Sequence, residues 1–412
     1  MAAPKPMPSA MPPSAAVNAN DASHLPYPSL MKRLEEILQR TDFAWSLGLI
    51  GEDQAAKLAM LTGDLRRRVS TTGDGKRITS GFSYLGAEPA IAWTKACRDH
   101  LYPVMKQSIE SFDRRWVNIR SSLKDQSYHY VSLGPGDGQK DAIILQDLER
   151  NNAQLCYVAV DMSAEMLRLG VHPLVRQLKL SRSRVLPVQL DFSSRANITE
   201  LRCLLHGLFG HNAILFSLLG NTIANFDNDI EMLRMFVDEL LRPQDLFVVE
   251  VATTRRLDEA TAQEAAEEYE HSRTFREFVT SALMHYTDLQ IDMENVCFYS
   301  SIEKNRAVQI KILYQNQTNG ELRITLPDRT SVPFPQKDTI RLYVSRKYAE
   351  EYLEVLSAES GVCVLDRDHF DFRGGSHSDV EFGMDLLMLK AGSETVQRDS
   401  SLTMAEYTWA RQ

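Results

Sequence analysis

The chain has 412 residues and an ordinary globular composition, 43% hydrophobic and 25% charged, enough for one large domain or two of modest size. Its net charge of −9 disfavours nucleic acid and anionic lipid as partners, and no apolar run approaches the length of a membrane span. Five scattered cysteines without a C-x-x-C pair read as reduced thiols of a cytoplasmic protein, leaving a small-molecule substrate as the expectation.

Residues 1–25 are rich in Pro, Ala and Ser, lack the continuous apolar core of a signal peptide, and predict a disordered tail. In 26–94, SLMKRLEEILQRTDFAW and GEDQAAKLAMLTGDLRRRV repeat apolar residues at helical spacing. Arg66, Arg67 and Arg68 read as a solvated helix face. The glycine-dotted STTGDGKRITSGFSYLG follows; its aromatic end marks it as more than a linker. A helical stretch is expected from Pro89 to about Leu123. Then YHYVSL, CYVAVD, VLPVQLDF, AILFSLLG and DLFVVEV alternate with helical segments, which predicts a parallel sheet covered on both faces. Beyond 253 the rhythm changes. Leu257 to Tyr286 is acidic and helical. VCFYSSIEKNRAVQIKILYQ, ELRITLP, TIRLYVSRKY and VEFGMDLLMLK look antiparallel, with one helix near Glu350. Part of this set completes the sheet and part builds a second lobe. His369, Asp371, His377 and Asp379 lack regular ligand spacing, and Gly374-Gly375 read as a hairpin turn, so no metal is expected. Residues 393–412 read as a polar, peripheral tail.

Three strand ends carry chemistry. Gly134-Pro135-Gly136-Asp137-Gly138 is G-x-G-x-G; Gln139 breaks the G-x-G-x-x-G of dinucleotide sites. Asp161 ends the next strand, where a carboxylate accepts from both hydroxyls of a ribose. Asp191-Phe192 ends the third, where an acid accepts from an adenine amino group and a ring packs on the purine. Singly, these are a tight turn, a helix cap and a surface turn. Together they suit an adenosine with an amino-acid-like tail, S-adenosylmethionine, with NAD as the rival.

LGPGDGQK, VAVDMSAEML, LDF and LLGNTIANF, in this order, resemble the histidine-specific methyltransferase family of the ergothioneine type, from roughly Phe82 to Lys390. The resemblance implies an α/β fold: a Rossmann-like class I methyltransferase core over 95–252, with a mostly parallel seven-stranded sheet. A second α+β substrate-binding domain comes from 26–94 and from 253–392, which also supplies the last sheet strands. It implies S-adenosylmethionine at Gly134, Gly136, Gly138, Lys140, Asp161, Asp191, Phe192 and Gly220, with S-adenosylhomocysteine as product. Asn225 matches the residue that holds the substrate amino group, Tyr84 a tyrosine that covers the substrate, and Tyr269 a tyrosine that faces the amine. Asn225 and Tyr269 are thereby the catalytic candidates. The family's (S/T)-E-x-S-x-K-(F/Y) segment is LYVSRKY here. Ser345 and Lys347 match, and Tyr343 stands where the family has the Glu that reads imidazole. The implied activity is N-methylation of an amino acid or amino-acid-like metabolite other than histidine, in secondary metabolism. Acidity and the aromatic candidate pocket point to a cationic or aromatic amine, including a guanidino or indole amino acid. The rival readings are an NAD-dependent oxidoreductase and a silent cofactor-binding relative that regulates a partner. Trp93 and Tyr348 read as core aromatics, and Cys156 as strand packing.

Overall fold

Strands β3 (Tyr128–Leu133), β4 (Tyr157–Asp161), β6 (Ala213–Leu218) and β7 (Leu246–Thr254) are buried at every position. Strands with helices on both faces read as continuous apolar runs rather than alternation. The computed structural model describes residues 48–49, 54–124, 126–178, 180, 184–372 and 382–392. The expected tail at 1–25, the first helical segment at 29–45, the turn at Gly374-Gly375 and the tail at 393–412 lie outside the described residues.

With β5 (Val185–Gln189), these strands pair in parallel in the order β5-β4-β3-β6-β7. The order reverses beside β3, and the crevice at such a reversal is where open α/β sheets bind ligands. β14 (Phe382–Ala391) runs antiparallel along β7, and β13 (Val362–Asp371) antiparallel along β14. These are the seven strands of the expected Rossmann-like core.

Among the described residues the sheet goes further than expected, to twelve strands. β6 leaves β7 at Leu218↔Val249. Four residues on, β12 (Thr339–Ala349) takes over the same edge at Tyr348↔Thr253. Antiparallel β9 (Ala307–Gln315) and β8 (Val296–Glu303) extend this branch, and β2 (Lys76–Arg77) joins β12 in parallel. β1 (Gly48–Leu49) pairs with β5. β10 (Leu322–Thr325) and β11 (Ser331–Phe334) form a separate hairpin; the second of these, SVPF, was not anticipated.

α1 (Gln54–Leu65) precedes β2. The stretch expected as one helix from Pro89 is two, α2 (Ala87–Ala96) and α3 (Pro103–Ile119). Pro103 lacks an N–H to continue a helix but suits its first turn. α4 (Gln139–Asn151) and α5 (Ala164–Leu178) join α3 on one face of the core; α6 (Arg195–Phe209) and α7 (Asp229–Leu240) cover the other. The acidic stretch is also two helices, α8 (Glu259–Glu270) and α9 (Arg273–Tyr286), because Ser272 caps the second by accepting from the Phe275 amide at 3.1 Å. α10 (Tyr352–Glu359) follows β12. A third apolar cluster packs α2, α8 and α9 against β9 and β12. No helix among the described residues is long and apolar enough to cross a membrane.

Candidate active site

One cavity opens at the C-terminal ends of β3, β4, β5 and β6, closed on the far side by the Thr79–Tyr84 segment, α2 and α3. Gly134, Gly136 and Gly220 line it at φ 75°, 59° and 70°, left-handed conformations that cost a glycine little. A Cβ at Gly136 would meet no atom within 4 Å, and one at Gly134 would meet only the Phe192 ring, at 3.9 Å. These two glycines thus leave an open cradle that side chains would fill. Gly138 does not line the cavity. It starts α4 at φ 77°, and a Cβ there would lie 2.4 Å from the Gly170 carbonyl oxygen. Its glycine is needed for close packing of α4 on α5, which the local motif cannot show.

Asp161 and Asp191 both line the cavity, one strand apart. Asp161 is buried and accepts from the Ser163 amide at 2.8 Å. Burial pushes its carboxyl up to about 7, against the Ser163 bond and the Lys57 charge. Ser163, not Asp161, caps α5, accepting from the Met166 amide. Asp191 accepts from the Ser193 amide and hydroxyl, so it is a turn residue that also faces the cavity. Phe192 lines the cavity beside it, its ring braced by Phe226 and Phe236. Lys140 reaches the cavity from the first turn of α4, its ammonium donating to Glu250 and to Ser108.

Asn225 lines the cavity from a single turn, Thr222–Asn225, lodged where β6 has left β7 and β12 has not yet arrived. Asn221, at φ 62°, fills that gap: its side-chain oxygen accepts from the Ala252 amide at 2.8 Å, and its nitrogen donates to the Arg346 carbonyl at 3.1 Å and to Ser345. Arg346 donates to the Ala224 and Phe226 carbonyls, clamping the turn to β12.

The other acceptor-side candidates divide. Tyr84 lines the cavity; Tyr269, Tyr343 and Ser345 do not. The Tyr84 and Tyr343 hydroxyls share a hydrogen bond at 3.1 Å. Tyr84 also stands edge-on to Trp93, and Tyr343 edge-on to Phe275 and Phe278. Tyr269 donates to Ser345 Oγ at 3.3 Å, and its ring lies under Lys347, which pairs with Glu268 at 2.5 Å. Burial pushes the phenols of Tyr84, Tyr269 and Tyr343 up, so all three are neutral. Behind the cavity, then, stands a wall of interlocked neutral rings.

Trp93 and Cys97 also line the cavity. Trp93 reads as core from the sequence and serves both. Glu250 escapes the sequence reading, although an acid within the apolar LFVVEVATT was a visible signal. His369 donates toward Asp371 at 2.7 Å and Asp385 at 3.0 Å, and these carboxylates raise it to about 9, so the side chain among them is itself a cation. His377 and Asp379 lie outside the described residues.

Residues 84–369 match a family model described as histidine-specific methyltransferase, SAM-dependent. No curated protein matches the chain. Among solved structures, a S-adenosylmethionine-dependent methyltransferase from Clostridium acetobutylicum is 14% identical, over 66% of this chain and 89% of its own, with a TM-score of 0.34. A glycopeptide N-methyltransferase complexed with S-adenosylmethionine is 15% identical, over 66% and 90%, with a TM-score of 0.30. The magnesium protoporphyrin IX methyltransferase of Synechocystis is 7% identical, over 75% and 96%, with a TM-score of 0.37.

Proposed function

The chain belongs to the histidine-specific, S-adenosylmethionine-dependent methyltransferase family, and from that membership we propose that it N-methylates the amino group of an amino acid or amino-acid-like metabolite whose side chain is an uncharged ring rather than an imidazole. The observation that carries the acceptor assignment is the Tyr84–Tyr343 pair. Where the resemblance places a carboxylate that reads imidazole, this chain has a phenol already bonded to Tyr84 and packed between Phe275 and Phe278. A neutral hydroxyl already shared with Tyr84 offers an imidazole no charge-assisted hydrogen bond of the kind a carboxylate gives, which is roughly twice as strong as a neutral one. The same wall favours a ring-bearing acceptor over a guanidino one, since it offers no carboxylate.

The cavity fits the cofactor. Gly134 and Gly136 leave the cradle open, Asp161 would take the ribose, Asp191 and Phe192 the adenine, and Lys140 with Gly220 the amino-acid end. When bound, the cofactor supplies a methyl group on a positively charged sulfur, open to in-line attack by a lone pair. Asn225 would hold the acceptor amine toward that position through its side-chain amide. The apolar wall lowers the amine's pKa, each unit being about 1.4 kcal/mol in favour of the neutral, nucleophilic form. Tyr269, a neutral phenol that stands off the cavity lining, serves to orient Ser345 rather than as a phenolate base. Family membership does not favour the oxidoreductase or the silent relative. Scattered thiols and negative charge support a cytoplasmic setting and a small-molecule partner.

A purified-protein assay with labelled cofactor against a panel of amino acids and amines should yield N-methyl products on ring-bearing amines and little on histidine. Transfer only to phenols or carboxylates rejects the amine; efficient turnover of histidine rejects the role given to Tyr343. Asn225→Ala should raise the acceptor KM about tenfold or more and leave S-adenosylhomocysteine affinity unchanged.

A further inference from the structure

Lys140 and Gly220, on the cavity lining, share one hidden support. Glu250 sits in the middle of β7 with no exposed surface. Its Oε1 accepts from Arg115 Nη1 at 2.7 Å and from the Ser108 hydroxyl at 2.8 Å. Its Oε2 accepts from Lys140 Nζ and from the Gly220 amide at 2.8 Å. Lys140 also donates to Ser108 Oγ at 2.6 Å, and its ammonium lies 5.5 Å over the Phe112 ring. Two of its three N–H bonds are thereby fixed, and among the described residues the third meets no acceptor.

We infer that Glu250 is a positioning residue for the amino-acid end of the cofactor, holding the Lys140 ammonium and the Gly220 turn where the cofactor's carboxylate must meet them. The fold separates the residues that would hold the two ends of the ligand. Asp161 and Asp191 stand on the tips of β4 and β5, whereas Lys140, Gly220 and Glu250 cluster around β3, β6 and β7. A flexible lysine would lose rotamer freedom on meeting a carboxylate; here that freedom is already spent inside the fold, so the charge is preorganised. Burial pushes the Glu250 carboxyl up, but the Lys140 and Arg115 charges and the Gly220 amide hold it down at about 2, so the anion persists at any working pH.

Glu250→Gln would put an amide N–H against one of the two cations and release Lys140. The inference rests on S-adenosylmethionine as the cofactor, so the test compares two ligands that share its nucleoside. Calorimetry with S-adenosylhomocysteine should show at least tenfold weaker binding to Glu250→Gln. 5′-Methylthioadenosine, which has the same nucleoside and sulfur but no amino acid, should change less than twofold. Ser108→Ala keeps both charges and should weaken S-adenosylhomocysteine a few fold, again sparing the shorter ligand; it decides the matter if Glu250→Gln does not fold. Equal weakening of both ligands, or no change in either, overturns the role of Glu250. An unmutated protein that binds neither ligand overturns the cofactor itself.

Discussion

Asp161 and Glu250 lie in the same sheet, and their surroundings push their carboxyls in opposite directions. Asp161 rises from its ordinary 3.8 to about 7 because burial outweighs the Ser163 amide and the Lys57 charge. Between those values the folded protein binds more protons than the unfolded chain, so this group makes stability fall as pH rises through that window. Ribose hydroxyls donate to the charged form. Cofactor binding should therefore weaken as pH drops below about 7, approaching tenfold per pH unit, and Asp161→Asn should bind more weakly but without that slope. Titrating S-adenosylhomocysteine by calorimetry from pH 5.5 to 8.5 checks this; a flat profile in the unmutated protein would remove Asp161 from the ribose. Glu250 shows the other sign. Its carboxyl falls from 4.5 to about 2, so its contribution is complete above 4.5 and is lost as pH falls toward 2.

Among elements, the contact between the start of α4 and the middle of α5 decides how closely the glycine loop approaches α5. Gly138 begins α4 at φ 77°, 2.4 Å from the Gly170 carbonyl oxygen measured from an added Cβ, and a Cβ on Gly170 would lie 2.7 Å from the Gly136 carbonyl. Alanine in a helix interior usually gains about 1 kcal/mol over glycine. Gly170→Ala, in the middle of α5, should do the reverse: it should lower the melting temperature, and it should weaken cofactor binding because Gly136 must move. A raised melting temperature with unchanged affinity would show that the two helices separate without cost. The glycine motif was legible because a strand-to-helix turn is local. The partner that makes Gly138 a packing residue lies 32 positions away, and no spacing within the motif points to it.

At the scale of the molecule, the aromatic wall that we propose faces the acceptor hangs on the branch where β12 replaces β6 beside β7. β2 ties the Thr79–Tyr84 segment to β12, through the Ile78 amide donating to the Arg341 carbonyl at 2.7 Å and the Lys76–Asp338 pair at 2.7 Å. Both partners of that pair are buried, 3% and 0% exposed. Removing one partner of a buried pair leaves an uncompensated charge, at a cost of about 3–5 kcal/mol. Asp338→Ala should lower stability by that order in denaturant unfolding. In protein that still folds, it should raise the acceptor KM more than the cofactor dissociation constant. Equal effects on both would show that the wall and the cofactor cradle move as one body.

The residues readable from the sequence alone are those whose signal is short-range. Glycines after a strand and acids on strand tips announce themselves through backbone geometry and burial period, and they led to the parallel core and to Gly134, Gly136, Asp161 and Asp191, whereas Asn225 came from the resemblance of LLGNTIANF to a family segment. Tertiary structure decided everything that depends on which distant segments meet. It moved Gly138 out of the cavity, set Tyr343 against Tyr84 across 259 positions, and joined Glu250 to Arg115, Ser108, Lys140 and Gly220. Periodicity tells whether a side chain is buried; only the pairing of strands and the packing of helices tells what it is buried against.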